Sequence, residues 1–395
     1  MVRFNFIMPN INRLLAVALL VFAPHCGLRL ANAETLAYFG TYTLGGSTSE
    51  GIYVCSIDEQ TGELSSPRLA AKALNPSFVA ISPNGKSLYA ASEAWSATDA
   101  GPAKTVGVIA FSIKADGTLE KLSEAATGGL GACHVSVDPT GQCVGVANYT
   151  GGSCALFKIN PDGSLVSPGD FHQHHGSSVN SSRQESPHAH SINFNATGTQ
   201  AIVADLGTDQ LLEYDVNLGS AVMSPSKQTA LELPPSGGPR HFNFAPSGKL
   251  ALTNLELTSQ VALLGYSAEK KTLSLGTVIS TLPAGASAKG NSTAECLFHP
   301  NGQFAYVSNR GHNSLAVIRV DAENQSIELL ENVSSGGEIP RGFGITPDGR
   351  FLVVANQQTG NVISLRIDPK SGSLTPTGSE INIGAPVNVR FLQRN

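Results

Sequence analysis

Charged residues are scarce in this chain. Only 14% of its 395 residues are Asp, Glu, Lys or Arg, and the formal net charge is −5. Such a chain has no basic field to hold nucleic acid or an anionic membrane surface, so neither is expected as a partner. A hydrophobic content of 41% excludes a disordered polar chain. Glycine, with 41 residues, and proline, with 22, are abundant instead, which indicates many turns.

Several motifs with a known chemistry are missing. The sequence has no Cys-x-x-Cys pair, which argues against a zinc knuckle and a thioredoxin-like site. It has no Gly-x-Ser-x-Gly nucleophile elbow and no Gly-x-x-x-x-Gly-Lys phosphate loop. Five cysteines follow the N-terminal region: Cys55, Cys133, Cys143, Cys154 and Cys296. Cys143 and Cys154 could pair, but scattered cysteines in apolar strands are more often simply buried.

A long apolar run occurs near the N-terminus. Arg13 precedes residues 14–23, which are all apolar, and the small residues of Ala31-Asn32-Ala33 follow. This order predicts a secretory signal peptide over residues 1–33 and an exported domain, periplasmic or secreted, over residues 34–395. A membrane anchor is the alternative, but this run is short for crossing a bilayer. No membrane association is expected after cleavage.

Six glycine-containing turns recur at intervals of 47 to 57 residues. Each has Pro or Ala, then a small polar residue, then Gly: Pro83-Asn84-Gly85, Pro139-Thr140-Gly141, Ala196-Thr197-Gly198, Pro246-Ser247-Gly248, Pro300-Asn301-Gly302 and Pro347-Asp348-Gly349. These residues supply the backbone angles of a tight turn between antiparallel strands. The period is too long for a helical solenoid unit, so each repeat is built around a β-hairpin.

The segments around each turn predict four strands per repeat. Ser77–Ser82 precedes a turn, Ser87–Ser92 follows it, and Gly107–Ile113 is a third apolar run that leads to a brief fourth strand. This pattern is typical of a β-propeller blade. Six turns give six blades, and residues 385–391 begin a seventh that residues 36–41 complete. We therefore predict an all-β fold, a seven-bladed β-propeller of four-stranded antiparallel blades, closed by the N- and C-terminal strands.

Polar side chains recur at one level of the predicted ring, where the strands meet the central channel. The inner strands contribute Cys133-His134, His190-Ser191, Arg240-His241, Ala294-Glu295 and Arg341-Gly342. The ends of the next strands contribute Glu93, Asn148-Tyr149, Asp205, Asn254, Glu256, Asn309-Arg310 and Asn356-Gln357. Any one of these is as easily explained as a solvated channel residue or a turn cap. Together, the arginines, histidines and glutamates predict a site for a small anionic or polyhydroxylated ligand.

Longer motifs resemble those of a known family. In chain order they are Gly40-Thr41-Tyr42-Thr43, Arg183-Gln184-Glu185-Ser186-Pro187-His188-Ala189-His190, Ala204-Asp205-Leu206-Gly207, Gly238-Pro239-Arg240-His241-Phe242, Ser308-Asn309-Arg310 and Pro340-Arg341-Gly342-Phe343. This set resembles the seven-bladed propeller lactonase family, which includes the propeller-type 6-phosphogluconolactonases and the fungal carboxy-muconate lactonising enzymes. The resemblance covers nearly all of the mature chain. It is specific for the family but not for one substrate.

The resemblance implies a hydrolase that opens the ring ester of a sugar lactone, like a 6-phosphogluconolactonase, with no metal and no cofactor. Carried over motif by motif, the catalytic residues are expected to be His190, Arg240, Glu256 and Arg310. The residues expected to bind substrate are His188, His241, Glu295, Arg341, Asp205 and Gln184. The implied partner is a small molecule, a lactone or a sugar acid.

The residue types suit this chemistry. Arg240 and Arg310 can polarise a lactone carbonyl, because a fixed guanidinium supplies charge and hydrogen bonds without a metal. Glu256 or His190 can take the proton from an attacking water. A histidine cluster raises the alternative of a metal site: His172, His174, His175, His188 and His190. These histidines lack the helical spacing of metal-binding pairs, and a polar loop explains them better.

Two other functions remain open. A propeller that binds without catalysis is favoured by location, because 6-phosphogluconolactone is a cytosolic metabolite and this chain has a predicted export signal. A muconate-type cycloisomerase would use the same acid, base and anion-binding groups in the ring-closing direction. The number of subunits in the assembly is left open by the sequence.

Overall fold

Seven antiparallel sheets of four strands follow one another along the chain in a computed structural model, which describes residues 1–5, 7, 34–94 and 107–394. The predicted signal peptide falls almost entirely outside these ranges. All regular elements of the described residues are β-strands. Among these residues, no helix is long and apolar enough to span a membrane.

Within the described ranges, twenty-eight strands form the seven blades. In chain order they are β1 (Glu34–Thr41), β2 (Gly51–Ile57), β3 (Arg68–Lys72), β4 (Pro76–Ile81), β5 (Ser87–Ser92), β6 (Gly107–Ile113), β7 (Leu119–Ala126), β8 (Ala132–Val137), β9 (Cys143–Asn148), β10 (Ser153–Lys158), β11 (Asp170–Gln173), β12 (Ala189–Phe194), β13 (Gln200–Asp205), β14 (Gln210–Asn217), β15 (Val222–Glu232), β16 (Pro239–Phe244), β17 (Leu250–Leu255), β18 (Gln260–Ser267), β19 (Thr272–Ser280), β20 (Ser292–Phe298), β21 (Phe304–Arg310), β22 (Ser314–Asp321), β23 (Ser326–Ser334), β24 (Pro340–Ile345), β25 (Phe351–Asn356), β26 (Asn361–Ile367), β27 (Leu374–Asn382) and β28 (Pro386–Arg394).

The inner strands of the blades contact one another in a closed circle, in the order β4, β8, β12, β16, β20, β24 and β28. One blade contains both ends of the chain, because its strand order is β28, β1, β2, β3. In that blade Leu36 is opposite Leu392 and Phe39 is opposite Val389 in an antiparallel register. The predicted seven-bladed propeller, closed by the terminal strands, is therefore confirmed. This closure removes the open edge that a linear array of blades would leave.

The predicted turns link the first and second strands of the six blades built from consecutive strands. The glycine that ends each turn has a φ angle between 64° and 74°, a left-handed conformation that glycine adopts without a steric penalty. Beyond these turns, the second strand of each such blade is buried along its length, as in β9 and β25. The cores therefore lie between neighbouring blades, where Tyr89, Phe157 and Phe343 are fully buried. The five cysteines of residues 34–395 are buried and unpaired.

Candidate active site

Every inner strand has a β-bulge at the same level of the channel. The register between first and second strands shifts there in all seven blades. The residues that the pairing skips are Ser77, Cys133, His190, Arg240-His241, Ala294-Glu295, Arg341 and Val387. A bulge re-aims the side chain of its extra residue, and bulges are common beside active sites. The inner-strand part of the polar set predicted from the sequence lies at these bulges.

A cavity of about 820 Å³ opens at the bulged end of the channel. The bulge residues His190 and Arg341 line it, together with Glu256 and Arg310 from the loops and strand ends around them. Its volume lies within the range of small-molecule sites, about 300–1,000 Å³.

The carboxylate of Glu256 holds three arginines at this end of the channel. Its Oε1 accepts a hydrogen bond from Arg183 Nη2 at 2.8 Å. Its Oε2 lies 3.1 Å from Arg240 Nε and 3.0 Å from Arg310 Nη2. Both Glu256 and Arg240 are buried, whereas the side chain of Arg183 is 41% exposed. Three guanidinium groups on one buried carboxylate fix the orientation of the arginines and leave a net positive charge.

This environment sets the protonation of Glu256. Burial alone would raise its pKa, but Arg310 and Arg240 outweigh burial and hold the pKa well below its usual range. The carboxylate is therefore ionised, and both oxygens are occupied by guanidinium groups. A group in this state is a poor proton acceptor, so the geometry favours His190 over Glu256 as the base.

His190 is buried at the wall of the cavity, with its Nδ1 3.8 Å from Cys133 Sγ and its ring 5.3 Å from the ring of Tyr149. Burial, followed by the charge of Arg240, holds its pKa well below 6.5. The imidazole is consequently neutral at neutral pH and has a lone pair to accept a proton.

A second buried chain lies behind Arg240. Arg240 Nη1 donates to His241 Nε2 at 3.0 Å, so the ring proton of His241 must lie on Nδ1. That Nδ1 donates to Glu295 Oε1 at 2.6 Å. Burial and the charge of Arg240 keep the pKa of His241 well below 6.5, which is consistent with this neutral tautomer. Arg240, His241 and Glu295 do not line the large cavity; Arg240 and His241 line a small pocket that shares His190 and Arg341 with it. The hydrogen bonds of His241 and Glu295 suit positioning of Arg240 rather than the substrate contact expected from the sequence.

Replacing Glu295 by alanine should therefore lower kcat through Arg240. We expect a loss of about tenfold with a smaller change in KM, because Arg240 would lose the fixed acceptor on one side. Glu295→Gln should retain most activity, since its amide oxygen can still accept from His241. Steady-state kinetics of both variants check this. Equal impairment of both variants, or of neither, would argue against a positioning role.

Arg341 forms another part of the cavity wall. Its guanidinium lies over the ring of Tyr42, 5.3 Å from the centroid, and the hydroxyl of Tyr42 donates to Glu93 at 3.0 Å. All three residues line the cavity. The wall thus presents a cation, Arg341, and a carboxylate, Glu93. Arg341 lies at the level of the channel that the sequence predicted for it.

Of the six residues expected to bind substrate, five lie outside the cavity lining: His241 and Glu295, described above, and Asp205, Gln184 and His188. Asp205 is fully buried and accepts a hydrogen bond from His174 Nδ1 at 2.6 Å and another from the backbone N–H of Gly207 at 3.0 Å. Gln184 is also fully buried, and its Nε2 donates to the carbonyl of Leu206 at 2.8 Å. Both side chains hold the loop that precedes β12 against its blade, so their polar atoms are committed within the fold.

His188, the last of these five residues, lies behind the cavity wall. Its ring stacks on Tyr149 with centroids 4.6 Å apart, and its Nδ1 donates to the Tyr149 carbonyl at 3.0 Å. Tyr149 and Arg183 themselves line the cavity, and Arg183 Nη2 donates to the Tyr149 hydroxyl at 3.1 Å. Arg183 was not among the site residues predicted from the sequence. The sequence feature that could have indicated Arg183 is its position next to Gln184 in the same motif.

The histidine cluster is explained by local pairs. His172 pairs with Asp170, His174 with Asp205 and His188 with the Tyr149 carbonyl. Within the part of the chain that the structure describes, no group of three or more His, Cys, Asp or Glu side chains is arranged to hold a metal ion.

Comparison with known proteins bears on this geometry. A family model described as "Lactonase, 7-bladed beta-propeller" matches residues 36–391. The chain belongs to this lactonase family. A 6-phosphogluconolactonase of Bacillus subtilis is 36% identical over 91% of the chain and 99% of its own length. A 6-phosphogluconolactonase of Formosa agariphila is 30% identical over 86% and 95%. The resemblance seen in the sequence, and the expectation of a lactonase, are confirmed.

A solved structure extends the similarity to three dimensions. The periplasmic gluconolactonase of Pseudomonas aeruginosa superposes on the lactonase described here with a TM-score of 0.84 and 29% sequence identity. The match covers 92% of this chain and 100% of the other.

Proposed function

We propose that this propeller hydrolyses the ring ester of a sugar lactone in the 820 Å³ cavity, without a metal ion. The observation that carries the proposal is the buried carboxylate of Glu256, which fixes three arginines beside the neutral His190. The relatives named as 6-phosphogluconolactonases and as a gluconolactonase support the substrate class.

In the proposed reaction, the lactone carbonyl oxygen takes on negative charge next to Arg240 and Arg310. Both guanidinium groups are held before substrate arrives, so they stabilise this charge with little reorganisation. A water molecule attacks the carbonyl carbon and gives its proton to His190. The ring C–O bond then breaks, and the leaving alkoxide takes that proton from His190. The product is a hydroxy acid, whose carboxylate benefits from the same positive charge.

The wall chemistry supports a polyhydroxylated substrate. Tyr149, Thr150 and Gln357 line the cavity and supply hydroxyl and amide groups. Arg183 and Arg341 add positive charge to the wall, which suits an anionic substituent as well as the product carboxylate.

A lactone panel tests the proposal. Protein comprising residues 34–395 is assayed against gluconolactone, its 6-phosphate and a muconate, with spontaneous hydrolysis subtracted and with and without a chelator. We expect acceleration of at least one sugar lactone that the chelator does not change. Loss of activity with the chelator would contradict the metal-free reaction. Turnover of the muconate alone would favour the cycloisomerase, and no acceleration of any substrate would favour the binding module.

The pH dependence of kcat/KM provides a further prediction. His190 acts as a base only when unprotonated, and its pKa lies well below 6.5. We therefore expect kcat/KM to stay level as pH falls from about 8 to about 6.5, and to decline only at lower pH, when His190 is protonated. Rate measurements over this range check it. A half-maximal rate at or above about pH 6.5 would argue against a depressed His190 as the base.

We also propose that residues 34–395 are exported after removal of residues 1–33. The order of arginine, apolar run and Ala31-Asn32-Ala33 supports this, as does similarity to a lactonase named as periplasmic. Mass spectrometry of the protein from its native host should find an N-terminus near Glu34. An intact form found only in the cytosol would contradict export.

A further inference from the structure

A second cavity, of about 320 Å³, lies at the opposite end of the channel. All seven inner strands contribute to it, through residues that follow the bulges, and it reaches Ile81, Val137 and Ile345 at the ends of β4, β8 and β24. We call it the far cavity. None of the residues assigned above to catalysis lines it.

A packed layer of rings separates the far cavity from the active-site cavity. The ring of His241 lies 5.5 Å from the ring of His190 and 5.5 Å from that of His134, centroid to centroid. Phe78 closes the layer, 4.1 Å from His134. Because these side chains are buried and in contact, a ligand of the far cavity would not share the active-site volume.

The wall of the far cavity is part apolar and part polar, and Arg390 is the one arginine or lysine among the described residues that line it. Leu297, Ile345 and Phe391 are among its apolar residues, and Arg390 supplies the charge. The guanidinium of Arg390 lies over the ring of Phe78, 4.6 Å from the centroid. No Asp or Glu is among the described residues that line this cavity.

Arg390 has more hydrogen-bond donors than the protein has acceptors around it. Its Nη1 donates to the Val389 carbonyl at 2.8 Å. Its Nη2 is 3.9 Å from Glu295 Oε2, which is beyond hydrogen-bond distance, and that carboxylate already accepts from His241 through Oε1. The side chain of Arg390 is 26% exposed, so the cation is largely removed from water without a hydrogen-bonded counter-charge.

Two neutral donors line the same cavity. His134 Nδ1 accepts from the Ile192 N–H at 3.4 Å, so the ring proton lies on Nε2, which has no hydrogen-bond partner within the described residues. Asn193 Nδ2 is buried and likewise lacks a partner there. A cavity that offers a guanidinium, an imidazole N–H and an amide N–H, and no carboxylate, is complementary to an anion.

We propose that the far cavity binds a small carboxylate with an apolar body. The carboxylate oxygens would accept from Arg390, His134 and Asn193, while the body would pack against the apolar part of the wall. Packing of the body against Leu297, Ile345 and Phe391 favours such an ion over inorganic phosphate or a sugar acid, whose polar groups would face these residues without partners. Benzoate has the required shape and charge and serves as the probe.

Calorimetric titration of residues 34–395 with benzoate tests the proposal. We expect saturable binding that is at least about tenfold weaker for Arg390→Met, which keeps the aliphatic stem but removes the guanidinium. Benzyl alcohol, the neutral counterpart, should also bind at least about tenfold more weakly. The matched control is Arg183→Met, which removes an arginine at the other end of the channel and should leave benzoate affinity unchanged.

Competition and a second variant complete the test. Saturating gluconate should not shift the benzoate affinity if the two cavities are separate. Asn193→Leu removes a donor that has no described partner, so it should preserve the fold and weaken benzoate binding severalfold. If Arg390→Met fails to fold, this variant tests the proposed site in its place. Absence of benzoate binding, loss of binding in Arg183→Met, or displacement by gluconate would overturn the proposal.

Discussion

A chain that ends at Pro386 is expected to lose the cooperative stability of the whole domain. The missing residues are most of β28, which pairs with β1 along its length and contacts the neighbouring inner strands β4 and β24. Deletion would expose the edge of β1 and remove buried side chains such as Val389. Each large buried side chain typically contributes about 2–5 kcal/mol. We therefore expect the melting temperature to fall by roughly 10 °C or more, or the transition to disappear.

Thermal unfolding followed by circular dichroism measures this effect. The matched control is Gln393→Ala, in the same strand, whose side chain is exposed and should leave the melting temperature nearly unchanged. An unaltered melting temperature in the truncated protein would show that ring closure by β28 is dispensable. It would also imply that the remaining blades are stable with an open ring.

The blade architecture was predictable because its signals are local. A turn such as Pro83-Asn84-Gly85 needs a left-handed residue at its end, and Gly85 adopts a φ of 67°. The spacing of such turns sets the repeat, and the unmatched segments at 36–41 and 385–391 imply the shared blade. The bulges were not predictable in the same way. An extra residue in an inner strand such as β12 leaves the apolar pattern nearly intact and is visible only from its pairing.

The candidate site was partly predictable for the same reason. His190, Arg240 and Arg341 occupy equivalent positions ahead of their turns, so the register of the repeat brought them together. Arg183 comes from a loop outside the repeat, and no periodic signal marks it. Asp205 occupies a strand-end position like the other residues, but its hydrogen bonds within the blade become evident only from the geometry.

The roles of charged groups required distances. The sequence offered both Glu256 and His190 as the base, since each residue type can accept a proton. Three guanidinium groups around the carboxylate of Glu256 make it the weaker candidate, because they stabilise its ionised form. In the proposed reaction, Glu256 therefore orients the arginines and the neutral His190 accepts the proton. Pairing of this kind joins residues as distant in sequence as Arg183 and Arg310, so the sequence pattern does not reveal it.

Replacing Arg240 by alanine should produce the largest loss of activity among the single substitutions considered. Arg240 is fixed by Glu256 on one side and by His241 on the other. Loss of a preorganised donor to a developing oxyanion commonly reduces kcat by about 10²–10³-fold. We expect kcat/KM for the best lactone to fall by about 100-fold or more, with most of the loss in kcat. Steady-state rates, corrected for spontaneous hydrolysis, provide the measurement.

Two further variants separate this role from a general effect on the fold. Arg240→Lys keeps the positive charge but cannot reproduce the planar fork that spans Glu256 and His241, so it should remain severely impaired. Arg319→Ala, at an exposed arginine whose partner Glu328 is also exposed, should retain wild-type rates.

Arg240→Ala protein must also show a cooperative thermal transition for its rate to be interpreted. If such folded protein hydrolysed the best lactone at the wild-type rate, Arg240 would not contact the reacting carbonyl. The reaction would then have to be placed elsewhere in the cavity, beside Arg341 and its partners Tyr42 and Glu93, which also line it.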